Sequence, residues 1–151
     1  MNTLIKIVNS DSTATSKGEL RFVKDIVTEN GEDIGHISFH AKDGSNNALQ
    51  EFARILGEVK DATSGAEGGK LTLSVASHNG TITDGIIVKD GDDENEVDVT
   101  IGNGTASVTR VKGNLVVLDE SNGVTISQGS VVIKNGGSQS FIDLYCESGN
   151  A

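Results

Sequence analysis

The chain has 151 residues, of which 35% are hydrophobic and 3% aromatic, with 19 Gly and no Pro. That is room for one ordinary domain, yet thin apolar material for the core of a monomer this size, so partner chains are the natural source of what is missing. A net charge of -10, from 22 acidic and 12 basic residues, excludes a surface built to neutralise nucleic-acid phosphates or anionic lipid.

Along the chain the dominant period is two. "TLIKIVN" (3–9), "ELRFVKDI" (19–26), "HISFHAK" (36–42), "EFARILGEVKD" (51–61) and "KLTLSVA" (70–76) place apolar side chains mostly at alternate positions, as half-buried strands require. Between them "ENGEDIG", "KDGSNN", "SGAEGG", "SHNG" and "KDGDDENE" are turn chemistry, rich in residues that tolerate left-handed backbone angles. One segment also fits a helix: in "NALQEFARILGEV" (47–59), Leu49, Phe52, Ile55, Leu56 and Val59 fall at helical spacing behind Asn46 or Asn47 as a cap. Flanking turn signals and β-branched neighbours favour the strand.

Past residue 80 the strands shorten. "GIIVKDG", "EVDVTIGNG", "ASVTRVKGN", "LVVLDESNG", "VTISQGS" and "VVIKNGG" follow at about 8–10 residues, the rhythm of a meander, a β-prism or a β-helix. Each such unit is too small to bury its own face, and closure by symmetry-related chains would supply the cover. The fold class expected is mostly β, in three stretches: N-terminal strands over 1–30, a β-domain over 31–80 and repetitive short strands over 81–151. The single Cys146 allows no intramolecular disulfide and reads as a packed thiol. No apolar run approaches the ~18 residues of a membrane span, and no basic stretch followed by an apolar one opens the chain, so neither a membrane partner nor a secretion signal is expected.

Residues 31–80 carry a more specific pattern. Gly35, Ile37 and Phe39 form a G-x-I-x-F strand; Phe52, Ala53 and Ile55 follow; then Asp61, Thr63, Gly65, Glu67 and Gly69; then the alternating Leu71 and Leu73 before an Asn-Gly turn. This resembles a segment of tail-fibre and related structural proteins of tailed phages, marine ones in particular, and "ELRFVKD" and "GNLVV" resemble its flanks. The resemblance covers roughly a third of the chain. It implies a virion component made in the host cytoplasm: an elongated, intertwined homotrimer, β-prism or β-helix-like, forming part of a shaft that supports host attachment. Its partners would be copies of itself, other tail or baseplate proteins and a host surface glycan. Fibre chains of this type run longer, so the expectation is a short fibre protein or the N-terminal piece of a longer one. The residues expected to carry assembly are Phe22, Ile37, Phe39, Phe52, Ile55, Leu71 and Leu73, which would bury together partly against neighbouring chains, and Gly65, Gly68 and Gly69, which would shape the turn.

Three constellations bear on chemistry. His36 and His40 lie four apart, too far along a strand to chelate one metal within a chain, and read as ordinary surface or core histidines. The loop at 89–98 offers Asp90, Asp92, Glu96 and Asp98 as weak candidates for a structural Ca²⁺, since hard cations want several carboxylate oxygens. The EF-hand pattern fails, with Asn95 at its sixth position and Ile101 at its twelfth, and a solvated acidic turn is the simpler reading; no cofactor is expected. The chain has no nucleophile elbow, zinc-protease helix, phosphate loop or dinucleotide fingerprint, and neither Trp nor more than one Tyr, Tyr145, for a sugar platform. No catalysis is expected. The "NGT" sequons at Asn79 and Asn103 read as turns. The alternative to a structural fibre is a carbohydrate- or cation-dependent binding module, or a polysaccharide-degrading fibre domain, with the acidic loop and histidines as its working surface.

Overall fold

The computed structural model describes residues 4–13, 15–91, 93–113 and 115–116. The expected short strands beyond 116, together with Tyr145, Cys146 and the metal candidate Asp92, lie outside the described residues. The chain divides after Arg110, and the sheet described below lies wholly in the first unit.

The described residues are all-β, without helix: β1 (Asp33–Lys42), β2 (Leu49–Asp61), β3 (Gly68–Ala76), β4 (Ile82–Asp90) and β5 (Val97–Ile101). They form one antiparallel sheet in the order β1-β2-β3-β4-β5, a meander in which every neighbour in sequence is a neighbour in space. The turn chemistry explains that simplicity. Between β1 and β2, Asp43 accepts the backbone N–H groups of Ser45, Asn46 and Asn47 at 3.0, 2.8 and 3.2 Å, and Asn47 takes φ 62°; an Asx side chain that gathers its own backbone amides is what reverses a chain at low cost. Between β3 and β4, Asn79 accepts from Ser77 Oγ and Thr81 N while Gly80 sits at φ 81°. The Asn79 sequon is thus part of this hairpin turn.

The segment 47–59 is settled as strand. β2 is the longest of the five at 13 residues, and its register explains why helical spacing misled: Ile55 pairs with Ile37 and Leu73, while the adjacent Leu56 pairs with His36 and Thr72, so the two residues point to opposite faces. Register shifts occur beside Ile34, Phe52, Lys60 and Gly85. Each extra residue sharpens the local twist and bends its strand.

Among the described residues of 4–32 no strand forms. The alternation of 3–9 and 19–26 suits a strand, but a strand is held by a neighbour's ladder, and none is supplied here. This segment is tied to the sheet at its end instead: Gly31 N donates to Val59 O at 2.7 Å, Val59 N to Glu32 O at 2.9 Å, and Lys24 pairs with Glu32 at 2.9 Å.

Candidate assembly surface

Strand pairing sorts the side chains into two faces of opposite character. On one, Ile37, Ile55, Leu73, Ile86 and Ile101 form an aliphatic row across all five strands. Beside it run Gly35, Gly57, Leu71, Val88 and Val99, and on its other side Phe39, Ala53, Val75 and Thr83. The opposite face is polar. Its rows are Glu58, Lys70, Lys89 and Asp98; His36, Leu56, Thr72, Ile87 and Thr100; and Ser38, Arg54, Ser74 and Asp84.

Burial runs against that sorting. Thr72 and Ser74 of the polar face are only 2% exposed, and no hydrophobic side chain is buried among the described residues. Central Leu73 is 37% exposed, Phe39 53% and Val99 58%. The polar face is closed over by its own long side chains: Lys70 pairs with Glu58 at 2.9 Å, Lys89 with Asp98 at 3.2 Å, Thr72 Oγ1 donates to Glu58 at 3.4 Å and Ser74 Oγ to Asp84 at 2.9 Å. Such a ladder pairs the charges and hydroxyls it contains, while Arg54 Nε and Glu51 Oε1 are buried without a hydrogen-bond partner. The apolar face has no equivalent, and each Val, Leu or Ile left in water forgoes about 1.5–3 kcal/mol.

The expected assembly residues fall mostly on this open face. Ile37, Phe39, Ile55, Leu71 and Leu73 lie on it, and Phe52 stands at a register shift at its margin, exposed. Phe22 reaches it from outside the sheet, its ring packed against Gly35, where an added Cβ would lie 2.8 Å from Phe22 Cβ and 2.9 Å from Cγ. Gly57, paired with Gly35, continues the notch. Composition hid three further contributors: that glycine pair, the β4–β5 residues Ile86, Val88, Val97, Val99 and Ile101, and Lys60. The second group was legible as alternation; the others depend on cross-strand partners.

Lys60 fastens the end of the sheet that holds the β2–β3 and β4–β5 turns. Its Nζ donates to the carbonyls of Asp90 and Gly91 at 2.8 and 2.9 Å and lies 3.5 Å from Asp90 Oδ2. β3 passes between, and there a Cβ on Gly68 would meet Asp90 Oδ2 at 2.7 Å and displace that carboxylate from its place beside Lys60. The turn glycines therefore differ: Gly68 leaves room for the Asp90 carboxylate, Gly65 is needed for its φ of 83°, and Gly69 has open space and serves neither purpose. Within this turn the Glu67 carboxylate is held below the ordinary glutamate range by backbone N–H donors, its own first and then that of Gly65 at 3.1 Å. Asp61 is lowered likewise, by the N–H and hydroxyl of Thr63.

The acidic loop does not converge on a point. Asp90 faces Lys60, Asp98 faces Lys89 on the polar face, and a Glu96 oxygen accepts the N–H of Asp93 at 3.0 Å. Glu67, Asp90, Asp93 and Glu94 border a depression of about 410 Å³ between the two turns. Among the described residues no three His, Cys, Asp or Glu side chains are grouped to hold a metal ion. His40 Nε2 lies 3.1 Å from Ser38 Oγ, and His36 lies in the row of Leu56, so neither histidine is joined to the acidic loop.

Comparison of the chain with protein-family models, with curated proteins and with solved structures returns no match. The open face, the hairpin turns and the paired charges are thus the ground on which function is argued.

Proposed function

We propose that the chain is a structural component of a phage virion, a tail fibre or a segment of its shaft, assembled as an elongated homotrimer that supports attachment to the host cell. One observation carries this reading: a five-stranded sheet whose apolar face has no fully buried side chain and, beyond Phe22 on Gly35, is left largely open among the described residues, in a chain whose residues 31–80 resemble a fibre segment. A sheet of that kind gains its core by association, and obligate oligomers have no stable folded monomer to compete with it. The partners are copies of the chain itself, then neighbouring tail or baseplate proteins and a host glycan at the attachment surface. The reading assigns no catalytic step, and it places the acidic loop at 89–98 in solvent.

Mass in solution tests it. Light scattering on the full chain at micromolar concentration is expected to give three times the 15.7 kDa chain mass, and electron micrographs of the same sample are expected to show short rods. A well-folded monomer would overturn the reading. The depression beside Glu67, Asp90, Asp93 and Glu94 supports the second reading, a cation-dependent glycan-binding module. That module would lose several degrees of melting temperature on addition of a chelator, whereas a solvated turn would not respond. A polysaccharide-degrading domain would hydrolyse host polysaccharide and lose that activity in Glu67→Gln.

A further inference from the structure

On β2 to β5 the Lys and Arg side chains are Arg54, Lys60, Lys70 and Lys89. The three lysines each face a carboxylate, at 3.5, 2.9 and 3.2 Å. Arg54 does not, in a chain with 22 acidic residues against 12 basic ones. Its Nε is buried without a hydrogen-bond partner, and so is Oε1 of Glu51 on the same strand. Neither side chain is ion-paired with another described residue. Folded proteins satisfy nearly all buried polar atoms, and an orphaned one marks a place where a partner is missing.

Register brings the two orphans to one corner of the polar face. Arg54 lies between Ser38 of β1 and Ser74 of β3, and Glu51 is paired with His40 in the next row. The extra residue at the register shift is Phe52, so Glu51 and Arg54 share a face although they are three positions apart. The hydroxyls around them are already engaged: Ser74 Oγ donates to Asp84 at 2.9 Å, and Ser38 Oγ lies 3.1 Å from His40 Nε2. What is left open is a cationic donor and an anionic acceptor in successive rows, about 7 Å apart along the strand, beside the exposed His40.

That pairing selects the occupant. An anion would satisfy Arg54 but set its charge against Glu51 and against the net charge of -10. A metal cation would satisfy Glu51 and be repelled by Arg54. A hydroxyl both donates and accepts, so a ligand that carries several on one rigid ring serves both groups and adds no charge. We propose that Arg54 and Glu51, with Ser38 and His40 at the rim, bind a neutral sugar of a surface glycan, Arg54 donating to one hydroxyl of the ring and Glu51 accepting from another. The proposal rests on the fibre reading for the source of the glycan, and it adds a site on the face that stays in solvent when the apolar one is covered. With hydrogen bonds alone each site is weak, and three copies on one trimer raise the avidity.

The test applies saturation-transfer NMR to the full chain, with the methyl glycosides of glucose, galactose, mannose and N-acetylglucosamine and with glucuronic acid as the charged comparison. At least one neutral glycoside is expected to bind, and glucuronic acid at least about tenfold more weakly. Arg54→Met and Glu51→Gln should each weaken that binding at least about tenfold, while Glu94→Gln and a chelator leave it unchanged. The sugar-free Arg54→Met chain should melt no lower than the unmodified one, because the change removes a buried donor that has no partner; an arginine kept for structure would lower it.

Binding that survives Arg54→Met, binding lost with chelator or in Glu94→Gln, preference for glucuronic acid, or no binding of any neutral glycoside would each overturn the proposal. If a second copy covers this corner instead, no glycoside binds and Arg54→Met loses multimer by light scattering. A trimer that binds none of the sugars leaves the fibre reading standing without the site, whereas a monomer that binds through Arg54 keeps the site and removes the fibre. Should Arg54→Met fail to fold, Glu51→Gln still decides.

Discussion

The two faces of the sheet are built on the same five strands, and adjacent residues of one strand feed opposite faces, yet they solve burial in opposite ways. On the polar face Thr72 and Ser74 are enclosed by longer neighbours that pair among themselves, Glu58 with Lys70, Lys89 with Asp98 and Ser74 with Asp84. On the apolar face Ile37, Leu73 and Ile101 of the central row are exposed and Ile55 and Ile86 only half-buried. In a water-soluble two-layer protein the enclosed face is the apolar one. Under the proposed function the inversion has a simple meaning, that the sheet is one layer whose cover is supplied by further copies, because polar side chains can pair across strands, whereas aliphatic ones gain only by leaving water.

The largest expected effect breaks the comparison within two consecutive residues. Ile86 belongs to the apolar face and Ile87 to the polar one. Ile86→Lys buries an unpaired charge in the contact and should cost about 3–5 kcal/mol, seen as loss of multimer by gel filtration. Ile87→Lys should leave the multimer in place. Equal behaviour of the two would mean that the faces are not distinguished by assembly.

The glycines of the β2–β3 turn give the next largest effects. Gly68→Val drives a side chain into the Asp90 carboxylate and should cost about 1–3 kcal/mol; Gly65→Val must hold a β-branched residue at φ 83° and should cost about 1–2 kcal/mol. Gly69→Val should stay within about 0.5 kcal/mol. Chemical denaturation of the three variants reads this order, and a costly Gly69→Val would show that its open side is occupied in the assembly.

Lys60→Met removes the donor that joins the end of β2 to Asp90 and Gly91. With the Lys60 side chain 29% exposed, the loss should be about 1 kcal/mol after solvent screening. Amide exchange should rise around Asp90 and Gly91 while the centre of the sheet is unchanged, since the bridge acts at one end of the strands.

The smallest effect expected is with pH. Backbone donors hold Asp43, Asp61 and Glu67 below their ordinary values of 3.8, 3.8 and 4.5, chiefly the N–H groups of Asn46, of Thr63 and of Glu67 itself. A depressed carboxylate contributes stability that is present above its unfolded value and is lost as pH falls through its folded one. Melting temperature should therefore be insensitive to these three groups near neutrality and fall below about pH 4.5. Asp61→Asn and Glu67→Gln should each flatten that fall.

Much of the sheet was legible in the sequence because its connections are local. "KDGSNN", "SGAEGG", "SHNG" and "KDGDDENE" mark the four reversals, and alternation between them marks the strands. The site was legible as a set of alternating residues, but not its exposure. Periodicity assigns Leu71, Leu73 and Val75 to one face without saying whether anything covers it. The Lys60 bridge could not be read, because it spans 30 residues and depends on a register shift that aims the side chain across β3. Gly35 and Gly57 look like weak strand residues until the register places them side by side, with Phe22 packed on Gly35. The alternation of 3–9 and 19–26 shows the converse: a pattern fit for a strand makes one only where a neighbouring ladder exists.

The central claim is that folding of the sheet and association of copies are one event. Thermal unfolding of the full chain over about a hundredfold range of concentration tests it, because for an obligate multimer the midpoint follows mass action. The account predicts a midpoint that climbs steadily with concentration, with loss of β-sheet signal and loss of multimer coinciding. A midpoint independent of concentration, in a sample that remains folded when dilute, would contradict it.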